Sequence, residues 1–461
     1  MSIKRSEGFT ASEKYLKHLC DNTFLSLWSY PNLYRDQGRD GSGKELCDLL
    51  VVFEENIIIF SDKYYHFPDT GEILLDWRRW FRHSVQRSAD QIYGAERWIK
   101  NFPGRIFLDS KCTQRFPLAL PNVENAKFYR VVVAHGARAR CKEYFGGGSG
   151  SLVYNSQVKG DQHFENPFTV GQIDPRRGYI HVWDDVTMEI LLNTLDTIAD
   201  LVAYLRRKEK LIIEQGVSII AAGEEDLLGY YLQQLDSQGR HDFILPLDST
   251  MLVVNEGFWD EFVTSAERKA QIEANKNSYM WDRLIETFNH YILENTLHDA
   301  YPYGVEHQEQ AIRILARENR LRRRILSDAL LDLMETTSAL NIGVRIVGPS
   351  QSRDPYYVFL LLPRPLKTEE EEYREKRKEL LYSYCLVTKL LYPDADGVVG
   401  IATETGWERY RSTDLIYYDS KWWNNEEREL AEYLHYEVGL LKQIIKYHHK
   451  EWEYPEINEK P

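Results

Sequence analysis

The amino-acid sequence predicts a multidomain chain with an α/β first part, followed by α+β and helix-rich regions. Three observations predict this. A length of 461 residues exceeds the roughly 250–300 at which single cores stop growing. By hydrophobic period, the first 112 residues run helix, strand, strand, strand, helix, strand. Farther along, long helical patterns are interrupted by isolated β-rich runs. The divisions expected are an α/β domain over 1–112, an α+β middle domain over 113–250, and a helix-rich α+β domain over 251–461.

The first helix is read over 11–28, where Leu16, Leu19, Cys20, Phe24 and Leu27 recur at helical spacing. Tyr30-Pro31-Asn32 stops it. Leu33 to Arg35 reads as a short strand, and Asp36 to Lys44 as a polar loop. Cys47 to Phe53 is an apolar run broken by Asp48. Ile57 to Lys63 is a second, β-branched run after a Glu54-Glu55-Asn56 turn. Trp77, Trp80, Phe81, Val85, Ile92 and Trp98 mark an amphipathic helix over 77–101. A strand is expected at Arg105 to Asp109, after Pro103-Gly104. Later strands are expected at Phe128 to Ala134, Ser151 to Asn155 and Tyr179 to Val182, then a helix from Thr187 to Glu209. The last part predicts helices over 256–298 and 306–336, and strands at Val344 to Val347, Tyr356 to Leu362 and Gly397 to Ala402. It also predicts a charged helix from Thr368 to Leu391 and a helical end over 425–450.

With 43% hydrophobic and 28% charged residues the composition is that of a globular protein. No run approaches the ~20 apolar residues that span a bilayer, and the polar first ten residues lack the apolar centre of a signal peptide. The five cysteines form no CxxC pair, which argues against a zinc ribbon or a disulfide framework. A reducing cytoplasm is the expected home, with no membrane partner. Net charge is −14, yet residues 1–110 hold 15 basic and 16 acidic side chains. The remainder holds 42 and 55, so the excess lies there. Binding follows the local field, so the near-neutral front is compatible with phosphate contacts.

The candidate chemistry lies at the ends of two strands. Side chains alternate along a strand, so Ile57, Ile59, Ser61 and Lys63 share one face. Asp48, on the neighbouring strand, can point at the same corner. Carboxylates there suit Mg²⁺, which takes oxygen ligands and keeps several waters. Lys63 suits the charge that develops on a phosphate. Alternation places Asp62 on the other face unless a bulge re-aims it. A plain Asp48–Lys63 salt bridge is the structural alternative. Glu13, in a first helical turn, is also explained as a helix-dipole partner.

Asp48, the triplet Ser61-Asp62-Lys63, Glu13 and the element order together resemble the PD-(D/E)XK nuclease superfamily, which is restriction-endonuclease-like. The match covers about the first quarter of the chain. It implies a metal-dependent nuclease using Mg²⁺ or Mn²⁺, cutting DNA or RNA, tRNA included. Asp48, Lys63, Ser61 and Glu45 would be catalytic, and Asp48 and Glu13 would hold metal. Ser61 stands where the family has an acidic residue. Either Asp48, Glu45, Glu13 and main-chain carbonyls make the site, or catalysis is weakened or lost. In the family the second helix flanks the site. Here it carries Arg78, Arg79, Arg82, Gln86 and Arg87 as candidate nucleic-acid contacts, with Gln86 or Gln91 reaching the phosphate. The core is similar to Mrr-type nucleases of bacterial defence. That implies a toxin whose C-terminal part senses a trigger such as a phage protein. The alternative is an inactive nuclease fold that binds nucleic acid or protein.

Weaker signals are Gly146 to Gly150, read as a hairpin loop or a phosphate cradle, and Asp184-Asp185, read as a helix cap. Arg320, Arg322, Arg323 and Arg324 are read as a phosphate-tracking or solvated helix face.

Overall fold

The computed structural model describes residues 5–37, 42–294, 304–350, 354–405, 412–445 and 451–455. The chain divides into two compact units, one reaching to Ala270 and the other spanning Gln271–Glu456. Among the described residues no helix is long and apolar enough to cross a membrane.

The first unit opens with α1 (Ala11–Trp28), where the Thr10 side chain accepts the Glu13 amide as an N-cap. Three strands follow as an antiparallel meander: β1 (Ser29–Arg35), β2 (Lys44–Phe53) and β3 (Asn56–Tyr64). A helical crossover, α2 (Ile73–Phe81) and α3 (Arg87–Asn101), then leads past β4 (Ile106–Phe107) to β5 (Lys127–His135). β5 lies parallel to β3, and β8 (His181–Trp183) lies parallel to β5. The sheet order is β4-β1-β2-β3-β5-β8. The strand expected at Arg105 to Asp109 is thus the two-residue β4, which pairs with β1 at the far edge. The strand that returns from the crossover is β5.

Both faces of this sheet are covered, which explains the unbroken apolar runs of β2 and β3. Phe24 and Trp28 of α1 pack on Phe60 and Phe53 from one side. α3 packs against β2, β3 and β5. Residues Arg82–Gln86, between α2 and α3, form a π turn, in which one extra residue is accommodated without breaking the helix.

The unit also contains α4 (Arg138–Phe145), β6 (Val153–Lys159), β7 (Thr169–Gln172), α5 (Thr187–Thr194), α6 (Ile198–Glu209), β9 (Ser218–Ala221), α7 (Glu224–Gln233), β10 (Met251–Val254), α8 (Phe258–Thr264) and α9 (Ala266–Ala274). Four of these strands form a second sheet, β10-β9-β6-β7. The boundaries expected at 112 and 250 therefore fall between strands that share a sheet. The helix expected from Thr187 to Glu209 is two helices, because Thr197 turns its side chain to the Asp200 amide and starts a new one.

The second unit holds α10 (Tyr279–Glu294), α11 (Gly304–Arg317) and α12 (Arg320–Thr336). Next come β11 (Gly343–Val347), β12 (Tyr356–Leu362), α13 (Glu370–Leu391), β13 (Gly397–Glu404), β14 (Thr413–Asp419) and α14 (Asn425–Tyr433). Its sheet runs β11-β12-β13-β14, with β12 and β13 parallel across the α13 crossover. Val358, Leu360, Leu381, Cys385, Val398 and Ala402 form its core.

The arginines of α12 are buried, neither solvated nor free to track a phosphate backbone. Arg320 and Arg323 share the carboxylate of Asp282 at 2.8 and 2.5 Å. Arg324 donates to Asn275 Oδ1 and Glu451 Oε2, both at 3.0 Å. Removing one partner of a buried ion pair strands the other charge, at a cost of about 3–5 kcal/mol. Asp282→Ala is expected to destabilise this unit by that order in denaturant unfolding. A loss below about 1 kcal/mol, the range of exposed pairs, would show that the arginines are solvated.

Candidate active site

The β2–β3 ladder runs from Phe53↔Asn56 to Leu49↔Phe60. Beyond it a side chain takes over the pairing, since Asp48 Oδ2 accepts the Asp62 amide at 2.6 Å. The Leu50↔Ile59 pair fixes the faces. By alternation Asp48 and Leu50 share a face with Ile59, Ser61 and Lys63. Ser61 is fully buried, and its Oγ donates to Gln91 Oε1 of α3 at 3.1 Å. Of the two glutamines singled out, Gln91 reaches this strand end. Gln86 lies inside the π turn.

The β1–β2 register brings Glu45 to the same corner. Leu33 pairs with Cys47, and the next residue, Tyr34, pairs with Glu45. Leu46 is the extra residue of a β-bulge, and a bulge shifts the alternation by one. Directly opposed residues point the same way, so Glu45 shares the face of Asp48 although it lies three positions away. Unbulged alternation would have sent it to the other side.

The electrostatics report the same convergence. Burial first, and then the Glu45 charge, push the Asp48 carboxyl up to about 7. Desolvation also raises Glu45, against a hydrogen bond from Asn32; Glu13 repels it and Lys63 attracts it. At Glu13 burial is outweighed by hydrogen bonds from Asn32 and the Phe9 amide, which hold it below the usual carboxylate range. Glu13 Oε2 takes Phe9 N at 2.8 Å and Asn32 Nδ2 at 3.0 Å. The glutamate offered as a metal ligand is therefore committed to holding the start of α1 onto β1.

The cationic candidates separate into two groups. Arg78 Nε donates to the Phe164 carbonyl at 2.9 Å, and Arg82 lies over the Phe164 ring at 5.3 Å. Both reach toward the segment ahead of β7. Arg79 and Arg87 are exposed. His83 stacks on Tyr65, just beyond β3, with ring centroids 4.6 Å apart. Slight burial and the charges of Arg87 and Arg82 lower the His83 imidazole. Arg82, His83 and Arg87 thus form one positive rim next to the tip of β3.

Asp62 points to the other face, as alternation requires, and meets a partner that sequence reasoning missed. Its Oδ1 lies 2.5 Å from Nε2 of His135, whose Nδ1 lies 2.7 Å from Asp185 Oδ1. His135 ends β5, so nothing local in the sequence links it to Asp62; the parallel pairing brings them together. Asp184 does cap α5, accepting the Val186 and Thr187 amides. The loop at Gly146 to Gly150 is no phosphate cradle: a β-carbon on Gly148 would lie 2.0 Å from Glu256 Oε1, and a carboxylate repels phosphate.

No known family, curated protein or solved structure matches the chain. Among the described residues no three His, Cys, Asp or Glu side chains gather as a metal cage.

The raised Asp48 carboxyl has a stability consequence. Its folded value of about 7 exceeds the ordinary 3.8, so between these the folded state binds more protons than the unfolded, and stability falls as pH rises through that window. Asn keeps the acceptor for the Asp62 amide. Asp48→Asn is therefore expected to stabilise the chain by on the order of 2–4 kcal/mol at pH 8. Little gain is expected at pH 4. Melting temperatures in EDTA at the two pH values check this; equal gains at both would contradict it.

Proposed function

We propose that the chain is a metal-dependent nuclease with a restriction-endonuclease-like core, whose second carboxylate comes from the second strand. The observation that carries this reading is the bulge at Leu46, which turns Glu45 onto the face of Asp48, Ser61 and Lys63. The topology supports it as well. A helix, a three-strand meander, a helical crossover and a parallel fourth strand follow the order that the PD-(D/E)XK resemblance implies, with β5 as the closing strand.

The donor set suits a hard divalent ion. Mg²⁺ is held by one or two carboxylates, with waters and substrate phosphate oxygens completing its shell, so a three-residue cage is not required. Asp48 and Glu45 would hold it, and bound there it polarises the phosphate and acidifies a water. The repulsion that keeps Asp48 protonated near neutrality is the repulsion such a cation relieves. Lys63 would stabilise charge developing on the phosphate oxygens. Ser61 and Gln91 would fix the wall of the site, and Arg82, His83 and Arg87 would take flanking phosphates. The bond that ties Ser61 to Gln91 favours the second reading, an inactive fold that binds nucleic acid. By resemblance alone the proposal extends to a bacterial antiviral toxin with a phage-derived trigger. Survival of infected cells expressing the wild type or Asp48→Ala would test that.

Purified wild type with plasmid DNA, single-stranded DNA, total RNA or tRNA is expected to cut at least one substrate in Mg²⁺ or Mn²⁺ and none in EDTA. Glu45→Ala and Lys63→Ala are each expected to lower the rate by at least about 100-fold, the scale of losing a group that acts on the transition state. Ser61→Glu in the Glu45→Ala background should restore part of it. Binding without cleavage in every metal would select the inactive reading.

A further inference from the structure

Asp62 sits between the two residues assigned to chemistry, yet its side chain leaves their face. Its Oδ1 meets His135 Nε2 at 2.5 Å, and His135 Nδ1 meets Asp185 Oδ1 at 2.7 Å. Asp185 Oδ2 also accepts the Gly136 amide at 3.0 Å. Carboxylates accept but do not donate when ionised, so a ring flanked by two of them donates from both nitrogens. That ring is an imidazolium. Burial opposes its charge, but the bonds to Asp185 and Asp62 prevail and lift it to about 9. His135 and Asp62 are buried. Trp80 Nε1 fixes the His135 backbone by donating to its carbonyl at 3.1 Å. The second oxygen of Asp62 is buried with no hydrogen-bond partner. His135 thus provides this carboxylate's hydrogen bond, and the carboxylate would be stranded without it.

The anchor lies where the main chain loses support. Pairing with β2 stops at Phe60, whereas pairing with β5 continues to Tyr64↔His135. The tip of β3 is held by β5 on one side and by the Asp48 carboxylate on the other.

We propose that His135 is a positioning residue. As an imidazolium tied to Asp62 and Asp185, it holds the tip of β3 so that the Asp62 amide stays on Asp48 and Lys63 stays at the Glu45–Asp48 corner. The consequence for catalysis rests on the nuclease reading; the effect on the strand tip does not. Support of this kind, one shell behind a ligand, is worth about 10- to 100-fold in metal affinity or activity.

The test uses the full chain with His135→Gln and the milder Asp185→Asn, on a partly exposed partner. Three quantities are measured: amide hydrogen exchange of peptides spanning 57–66, Mn²⁺ affinity by electron paramagnetic resonance, and cleavage kinetics. His135→Gln is expected to speed exchange at 57–66 by at least about tenfold, while peptides of β12 and β13 keep the wild-type rate. Mn²⁺ affinity and kcat should each fall about 10- to 100-fold, with KM for nucleic acid within about threefold. Asp185→Asn should show smaller changes of the same pattern. Wild-type exchange across 57–66 in both variants overturns the proposal. If His135→Gln loosens the whole chain, Asp185→Asn decides: faster exchange confined to 57–66 supports the anchor, and an unchanged rate refutes it. If the wild type neither binds Mn²⁺ nor cuts, the nuclease reading fails, and the exchange data still decide whether His135 holds the strand tip.

Discussion

The candidate site depends on a carboxylate that does the work of a main-chain carbonyl. Where β2 and β3 part, the Asp62 amide would lose its partner inside a covered sheet, and a buried unpaired amide costs about 1–3 kcal/mol. Asp48 Oδ2 fills that place at 2.6 Å. In doing so it is drawn out of water and set beside Glu45, and both effects raise its proton affinity. One contact therefore ends the ladder, aligns the tip of β3 and creates a buried acid. Neutral Asp48 costs the fold little, while ionised Asp48 needs a cation. That coupling of a structural bond to a charge deficit makes the corner suited to a divalent ion.

The bulge at Leu46 and the serine at position 61 are complementary. An acid at position 61 would lie on the same face as Asp48, and so would compete with Glu45 for one corner. The chain has the carboxylate on β2 and a neutral, hydrogen-bonded hydroxyl on β3. A bulge bends and twists its strand. Here it sits at the open end of β2, where Glu45 can reach solvent and a ligand.

Much of the framework was legible in the sequence. The meander was visible because β2 and β3 are covered on both faces and so read as apolar runs of strand length. Asp48 stood out as the one charge in such a run, and the face shared by Ile59, Ser61 and Lys63 follows from the two-residue period. Other features depended on pairing between distant segments. The bulge cannot be seen in Glu45-Leu46-Cys47, because it exists only relative to Leu33 and Tyr34. His135 gains its meaning from a parallel strand more than 70 positions from Asp62. The closing strand was misplaced at Arg105 to Asp109 because sequence order favours the next β-rich run, whereas the crossover passes over it to β5. The α12 arginines looked solvated because their partners Asp282 and Glu451 are remote in sequence.

The π turn at Arg82–Gln86 carries a consequence for how this chain can vary in length. A π turn holds one residue more than the α-helix around it, and each residue of an α-helix advances the azimuth by about 100°. Deleting a single residue there would leave a continuous helix, yet it would change the phase between α2 and α3. The Trp77–Trp80 face and the Ser61-bound Gln91 could no longer both meet the elements they now touch. The segment is therefore a length-sensitive phase setting between the aromatic cluster and the site, and related chains that keep both should keep the extra residue.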